Sequence, residues 1–450
     1  MNNTKYDTPE KILEKACSAI GVPFKTIDKH QRLSTGKGNI GHMIEESLYG
    51  YDINSRSEAD FVEAGIELKV TPIVKSKNKY RSKERLVLNI INYEEEYLHT
   101  FKNSHFWEKN HELLLMFYEY IKNVSKENWS IREVCLFNYP EEDLIIIQSD
   151  WEKIIAKIKA GRAHEISEGD TMYLGACTKG STAAKSYRTQ PFSTIPAKQR
   201  AFSLKQSYMT YIVQNFIFGQ KQDERIIKNF ESIKNSSFEE FVLNKIRPYI
   251  GKSQEELCAQ LNISSSAKNL NSLIISKILD IKGDVKNTEE FKKANIIPKT
   301  IRVNANGTIK ESMSFPVFNF CEIIDETWYE STFKEYLESA RFLFVIFRFS
   351  NDNKLFLNKV MFWNIPPDDL EEVGKVWQKT VDTLRKGVEF TKTSRGICNN
   401  LPKSSENKVA HVRPHARNSL DTSPLPTGGS MPKQCFWLNS SYIKTQIDIK

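Results

Sequence analysis

The sequence predicts a mixed α/β protein made by tandem duplication of one domain, and three observations carry that prediction. The chain has 450 residues, more than one ordinary hydrophobic core organises and comfortable for two. Residues 138–161, NYPEEDLIIIQSDWEKIIAKIKAG, lie over 364–387, NIPPDDLEEVGKVWQKTVDTLRKG, without a gap, and the Asn, Pro, Asp143/Asp369, Leu, Trp151/Trp377, Lys and Gly positions coincide. Within the first copy, stretches with apolar residues at helical spacing alternate with short apolar runs of strand character.

The elements follow in order. KGNIGHMIEESL (37–48) predicts an amphipathic helix carrying Glu45 and lies over KNLNSLIISKIL (268–279). GIELKVTPI (65–73) and RLVLNIINY (85–93) read as strands, as do LLLMFYEYI (113–121) and VCLFNY (134–139), before a helix that carries Trp151. DFVEAGIELKVTPI (60–73) lies over EFKKANIIPKTIRV (290–303), and FSLKQSY (202–208) over FWLNSSY (436–442). The offset drifts only from 226 to 234. The join is expected within 218–229, giving one domain over 1–222 and a second over 223–450.

Composition narrows the function classes. Hydrophobic residues are 40% and aromatics 11%, which argues against disorder and against a fibrous protein. No apolar run is long enough for a transmembrane helix, and the first residues are polar, against a secretory leader. Seven cysteines (17, 135, 177, 258, 321, 398, 435) stand singly with no CxxC. They read as reduced thiols of a cytoplasmic protein, with neither a disulfide frame nor a zinc site. Histidines show no HxH or HExxH spacing, and no GxxxxGK[ST] loop indicates ATP-driven translocation.

The net charge of +8 is unevenly spread. Residues 171–222 hold seven basic residues and no acid, and 390–446 hold eight against Glu406 and Asp421. Both stretches are rich in Ser, Thr and Tyr, which donate hydrogen bonds to phosphate oxygens. Two such runs at matching places in the two copies point to a polyanion, most simply DNA or RNA.

One constellation carries chemistry. Asp60, Glu67 and Lys69 form D-x6-E-x-K, and side chains two apart on a strand share a face. Two carboxylates with the Leu68 carbonyl offer hard oxygen ligands for Mg²⁺. A lysine beside them orients or deprotonates water and balances charge building on a phosphate, the equipment for phosphodiester hydrolysis. Asp284, Glu290 and Lys292 match a loosened form of the pattern in polar surroundings, and that match is read as chance. Opposite Asp60, Glu67, Lys69 and Glu45 the second copy has Glu290, Ile297, Lys299 and Ser276. Two acids are lost there, so one active and one inactive lobe is the economical reading.

Lys37-Gly38-x-x-Gly41-x-x-Ile44-Glu45, Asp60-x6-Glu67-Leu68-Lys69 and the Ser149-Asp150-Trp151-Glu152 helix resemble the MutH family, whose founding member is the strand-nicking endonuclease of mismatch repair. SKERLVLNIINY (82–93), HEISEG (164–169), CTKG (177–180) and AKQRAFSLK (197–205) resemble its two-domain type II restriction endonucleases, which cut at GATC. The resemblance covers nearly the full length. It implies a restriction-endonuclease-like (MutH-type) fold present twice, with an active N-terminal and a degenerate C-terminal lobe. It makes Asp60 and Glu67 Mg²⁺ ligands, Lys69 the catalytic lysine, Glu45 an extra carboxylate, and sets Lys37 near the scissile phosphate. It further implies cutting 5′ of the G, leaving four-base 5′ overhangs, and a second lobe that binds another site as effector.

One departure concerns base reading. The mismatch-repair nuclease uses an Arg-Pro-Lys loop; the second lobe has Arg413-Pro414-His415 at that place, and the first has Cys177-Thr178-Lys179-Gly180. Readout in the first lobe is expected from Thr178, Lys179, Gly180, with Arg188 or Gln190, and spacing leaves open which residue reads guanine. Lys185, Lys198 and Lys205 are expected to touch phosphates, and His411 and His415 to flank Arg413 on DNA. The expected partners are duplex DNA, two GATC sites at once, and a cognate DNA methyltransferase. The chain is expected to be a monomer in solution that pairs on DNA. A GATC-specific repair nickase and a non-catalytic GATC-binding regulator are the alternatives.

Overall fold

The computed structural model describes residues 6–34, 39–53, 58–76, 79–179, 186–219, 223–233, 236–267, 269–394 and 396–448. Lys37, Gly180 and Lys185 lie outside the described residues. The chain divides into two compact units, Met1–Phe241 with Lys286–Ile296, and Val242–Val285 with Ile297–Lys450. Among the described residues no helix is long and apolar enough to cross a membrane.

In the first unit, helix α1 (Pro9–Cys17) starts at Thr8, whose side chain accepts the Lys11 N–H, with Pro9 in the first turn where a missing N–H costs nothing. Helix α2 (Asn39–Met43) widens into a π turn over Ile44–Tyr49 and stops at left-handed Gly50. The main sheet has the order β2-β1-β4-β5, built from β1 (Glu67–Ser76), β2 (Lys79–Ser82), β4 (Glu112–Glu119) and β5 (Ile131–Asn138). β1 runs parallel to β4, with Lys69 opposite Leu115, and β4 is antiparallel to β5. β4 carries LLLMF buried throughout, the mark of a central strand covered on both faces. Between β2 and β4 come β3 (Leu86–Ile90) and the short helix α3 (His105–Asn110).

Helix α4 (Glu141–Lys159) leads to a second sheet, β3-β9-β6, of β6 (Leu174–Thr178) and β9 (Arg200–Leu204) with β3. Buried Asp150 on α4 accepts the N–H groups of Met172, Tyr173 and Leu174 at 2.8, 2.6 and 3.0 Å, fixing the start of β6. The strands β7 (Tyr187–Gln190) and β8 (Ser193–Lys198) form a separate hairpin, and α5 (Gln206–Tyr211) follows β9.

Helix α6 (Glu289–Ala294) packs with this first unit. Repeat alignment set 223–241 and 286–296 in the second copy, and the structure assigns both to the first unit for a physical reason. The Glu290 carboxylate accepts the N–H groups of Ile226 and Ile227 at 2.9–3.1 Å. Lys293, only 2% exposed, donates to both Asp143 oxygens at 2.7 and 2.8 Å and to Glu289 at 2.7 Å. Arg225 pairs with Glu289 at 2.8 Å and Glu142 at 2.9 Å.

The second unit repeats the plan. Its sheet β10-β12-β13 comprises β10 (Ile296–Val303), β12 (Arg341–Phe349) and β13 (Leu355–Trp363); the other, β11-β19-β16, comprises β11 (Met313–Val317), β16 (Ala410–Pro414) and β19 (Gln434–Leu438). Helix α7 (Pro367–Lys386) stands where α4 does, and α8 (Ser440–Asp448) where α5 does. The hairpin β17 (Thr422–Pro424) with β18 (Ser430–Pro432) stands where β7–β8 does, and the hairpin β14 (Phe390–Thr393) with β15 (Gly396–Asn399) is added. Matching details survive at the aligned positions. The Tyr208 hydroxyl donates to Asp143 at 2.8 Å, and Tyr442 to Asp369 at 2.8 Å. Gly65, two residues before β1 begins, and Asn295, one before β10, both take left-handed φ, 68° and 53°.

Candidate active site

The acids gather at the start of β1. Left-handed Gly65 turns the chain into the strand; a Cβ there would be strained and would approach the His111 ring at 3.3 Å. The turn brings Asp60 back alongside, so that its Oδ2 accepts the Leu68 N–H at 3.0 Å while Glu67 Oε2 accepts the Asp60 N–H at 3.1 Å. Lys69 Nζ donates to Glu67 Oε1 at 2.6 Å, with the Glu67 side chain 3% exposed. Asp60, Glu67 and Lys69 therefore meet as their spacing predicts.

Two further groups complete the site. Glu45 stands in the π turn, a widened geometry that recurs at functional positions. Lys109, at the end of α3, places its Nζ 3.7 Å from Glu67 Oε1. Sequence reading missed Lys109, because nothing in the polar stretch EKNHE ties it to a distant strand; it comes to the site because α3 leads directly into β4, the parallel neighbour of β1. Burial raises the Glu67 carboxyl above its ordinary range and Asp60 adds to this, against the pull of Lys69 and Lys109. Burial also lifts Glu45 to about 7, with Asp60 pushing the same way and the two lysines opposing.

This donor set suits a hard divalent cation. Two crowded carboxylates with a backbone carbonyl between them are the kind of oxygen group that takes Mg²⁺, which keeps several of its waters and needs only one or two carboxylates. Among the described residues no cluster of three or more His, Cys, Asp or Glu side chains forms a ready cage. Asp60, Glu67 and the Leu68 carbonyl would hold the ion, with Glu45 nearby.

The second unit lacks this chemistry at the aligned positions. Ile297 packs against the core, Ser276 is buried, and Glu290 is spent on the Ile226 and Ile227 amides. Lys299 remains, hydrogen-bonded to the Ser314 carbonyl at 3.0 Å.

The expected DNA-binding residues divide sharply. Thr178 is exposed and Lys179 half-buried at the end of β6, and Arg188 and Lys198 are exposed on the β7–β8 hairpin. Three expectations are corrected by burial. Gln190 is 5% exposed, its Oε1 accepting the Ala163 N–H at 2.7 Å and its Nε2 donating to the Ile195 carbonyl at 2.5 Å. Lys205 is 3% exposed, and its Nζ donates to the Thr171 carbonyl at 2.6 Å. His411 is buried with Nδ1 2.6 Å from Asn439 Oδ1, and burial lowers its pKa. All three serve the fold and are not available to DNA.

Strand register aligns the two reading loops. Leu174 pairs with Leu204 and Ala410 with Leu438, which sets Cys177, Thr178 and Lys179 over Arg413, Pro414 and His415. The same backbone bond closes both, Lys179 N–H to Gln199 at 2.8 Å and His415 N–H to Lys433 at 2.9 Å. Arg413 is exposed with its guanidinium 4.5 Å from the Trp437 ring centre, and His415 packs edge-on to the same indole.

The acid and lysine cluster at the head of a mixed sheet defines a MutH-type nuclease unit. The family model described as "DNA mismatch repair enzyme MutH" matches residues 49–150, which include Asp60, Glu67, Lys69 and Lys109. MutH proteins of Pasteurella multocida and Shewanella baltica are 24% and 26% identical; they match 47% and 46% of this chain and 97% and 95% of their own lengths. The type II restriction enzyme Sau3AI of Staphylococcus aureus is 38% identical across 98% of this chain and 99% of its own. The chain belongs to the type II restriction endonuclease family of Sau3AI, with a MutH-like nuclease domain.

Proposed function

We propose that the chain cleaves duplex DNA at GATC, 5′ of the G, by Mg²⁺-dependent hydrolysis at Asp60, Glu67, Lys69, Glu45 and Lys109, with the second lobe binding another site as effector. The observation that carries the reading is the Asp60–Glu67 pair locked across the start of β1 with two lysine ammonium groups against Glu67. When bound, the metal supplies Lewis-acid charge and an acidified water. Lys69, oriented by Glu67, holds the attacking water and balances charge on the phosphate. Lys109 adds a second positive charge on the same face, and Glu45, easily protonated, takes up or returns a proton beside Asp60. Exposed Thr178, Arg188, Lys198 and half-buried Lys179 support DNA contact by this lobe. Exposed Arg413 and His415 support it in the other.

The test is plasmid cleavage with Mg²⁺ and sequencing of the ends. Glu67→Ala and Lys109→Ala are expected to slow cutting by about 10²-fold or more while duplex binding persists, in line with removing a preorganised charge. Wild-type rates in either variant overturn the assignment. Open circles without linear product would favour the nickase, and absence of any Mg²⁺-dependent cutting the binding regulator. Arg413→Ala is expected to abolish stimulation by a second site added in trans; equal stimulation in the variant overturns the effector role.

A further inference from the structure

We propose that a cavity in the second unit is a phosphate-binding site centred on Lys299. The cavity holds about 760 Å³ and lies along β10, the strand aligned with the catalytic strand β1. It opens beside an edge: β10 ends the order β10-β12-β13, and among the described residues its outer side meets the chain in the bridge between Val303 and Ile309, at the end matching the Ile73–Ser76 stretch that β2 covers in the first unit.

Lys299 is the catalytic lysine's counterpart with its acid removed. Where Lys69 leans on Glu67, Lys299 has Ile297 two residues before it. Its ammonium donates to the Ser314 carbonyl at 3.0 Å and stands 5.8 Å from the Phe315 ring centre, and among the described residues no carboxylate pairs with it. A largely buried cation without a counter-ion is costly, and burial lowers its proton affinity accordingly. An anion entering the cavity relieves that cost.

The rest of the lining suits the same ligand. Lys310 brings a second cation, while Arg302 and Glu311, the one acid of the lining, pair with each other at 3.1 Å. Asn304 and Asn351 add amide groups able to donate to oxygens. With no acid left to hold a metal, the site grips a phosphate without hydrolysing it. The phosphate belongs either to a DNA backbone or to a free nucleotide. The DNA case rests on the effector-lobe reading; the anion site itself does not.

The test labels lysines of the full chain with an amine-reactive acetylating reagent at constant ionic strength and follows the Lys299 peptide by mass spectrometry. Exposed Lys354 is the internal reference. Inorganic phosphate, thymidine 5′-monophosphate and a GATC duplex are added separately. Several-fold slower labelling of Lys299, with Lys354 unchanged, is expected with phosphate. Protection by duplex as well assigns the site to DNA, and protection by phosphate and nucleotide alone assigns it to a free nucleotide. Labelling unaffected by all three overturns the proposal. Calorimetric phosphate binding is expected to be lost in Lys299→Met, and equal binding in the variant also overturns it. A protein protected by phosphate yet not stimulated by a second DNA site keeps this inference and loses the effector reading.

Discussion

Glu45→Gln is expected to make the metal-free protein more stable while making it a poorer nuclease. Folding lifts the Glu45 carboxyl to about 7, chiefly by burial and then by Asp60. Each tenfold change in proton affinity is worth about 1.4 kcal/mol, so ionised Glu45 burdens the metal-free fold at pH 8 by roughly 3 kcal/mol at most. Solvent reaching the half-buried side chain reduces this to about 1–2 kcal/mol. The direction follows from the raised value. The wild-type side chain supports the fold fully below its unfolded value near 4.5 and loses that support as pH climbs through about 7. A glutamine is neutral throughout, so the variant is expected to melt a few degrees higher at pH 8 in EDTA, with the gap closing by pH 4. Equal melting at pH 8, or a gap that persists at pH 4, refutes the reasoning.

Two other outcomes are expected. Lys205→Met should lower stability and leave the salt dependence of DNA binding unchanged, because its ammonium is buried on the Thr171 carbonyl. Arg188→Ala or Lys198→Ala should instead flatten the slope of log K against log salt by about one; a flattened slope in the Lys205 variant contradicts its burial. Lys293→Met should cost about 3–5 kcal/mol in urea unfolding, since it leaves buried Asp143 without a counter-ion and Glu289 with Arg225 alone. Neighbouring Lys292→Met, whose pair with Asp223 is 41% exposed on the lysine side, should cost about 0–1 kcal/mol. Equal unfolding midpoints would deny the buried cluster its role.

What was legible in the sequence was local or repeated. The D-x6-E-x-K spacing located three members of the site because strand periodicity and one turn suffice to bring them together. The alignment of 138–161 with 364–387 exposed the duplication because both copies keep the same apolar stripe on one long helix. Lys109 was hidden, since its approach depends on the parallel pairing of β1 with β4, which no short pattern encodes. Gln190, Lys205 and His411 look like DNA contacts in a basic, polar stretch. Their burial is decided by what lies across from them: the Ala163 amide, the Thr171 carbonyl and the Asn439 side chain. Repeat alignment places residues 290–303, and with them the short helix Glu289–Ala294, in the second copy, yet Glu290 and Lys293 carry structural bonds in the first.

That helix makes the two copies inseparable as inheritable parts. A nuclease half that stopped at residue 241 would retain every acid and lysine of the site. It would also leave Asp143 without Lys293 and the amides of Ile226 and Ile227 without Glu290. The stretch that completes the first unit, residues 286–296, is written between two segments of the second. Cutting the chain at 241 is therefore expected to destabilise the first unit, whatever the second lobe binds.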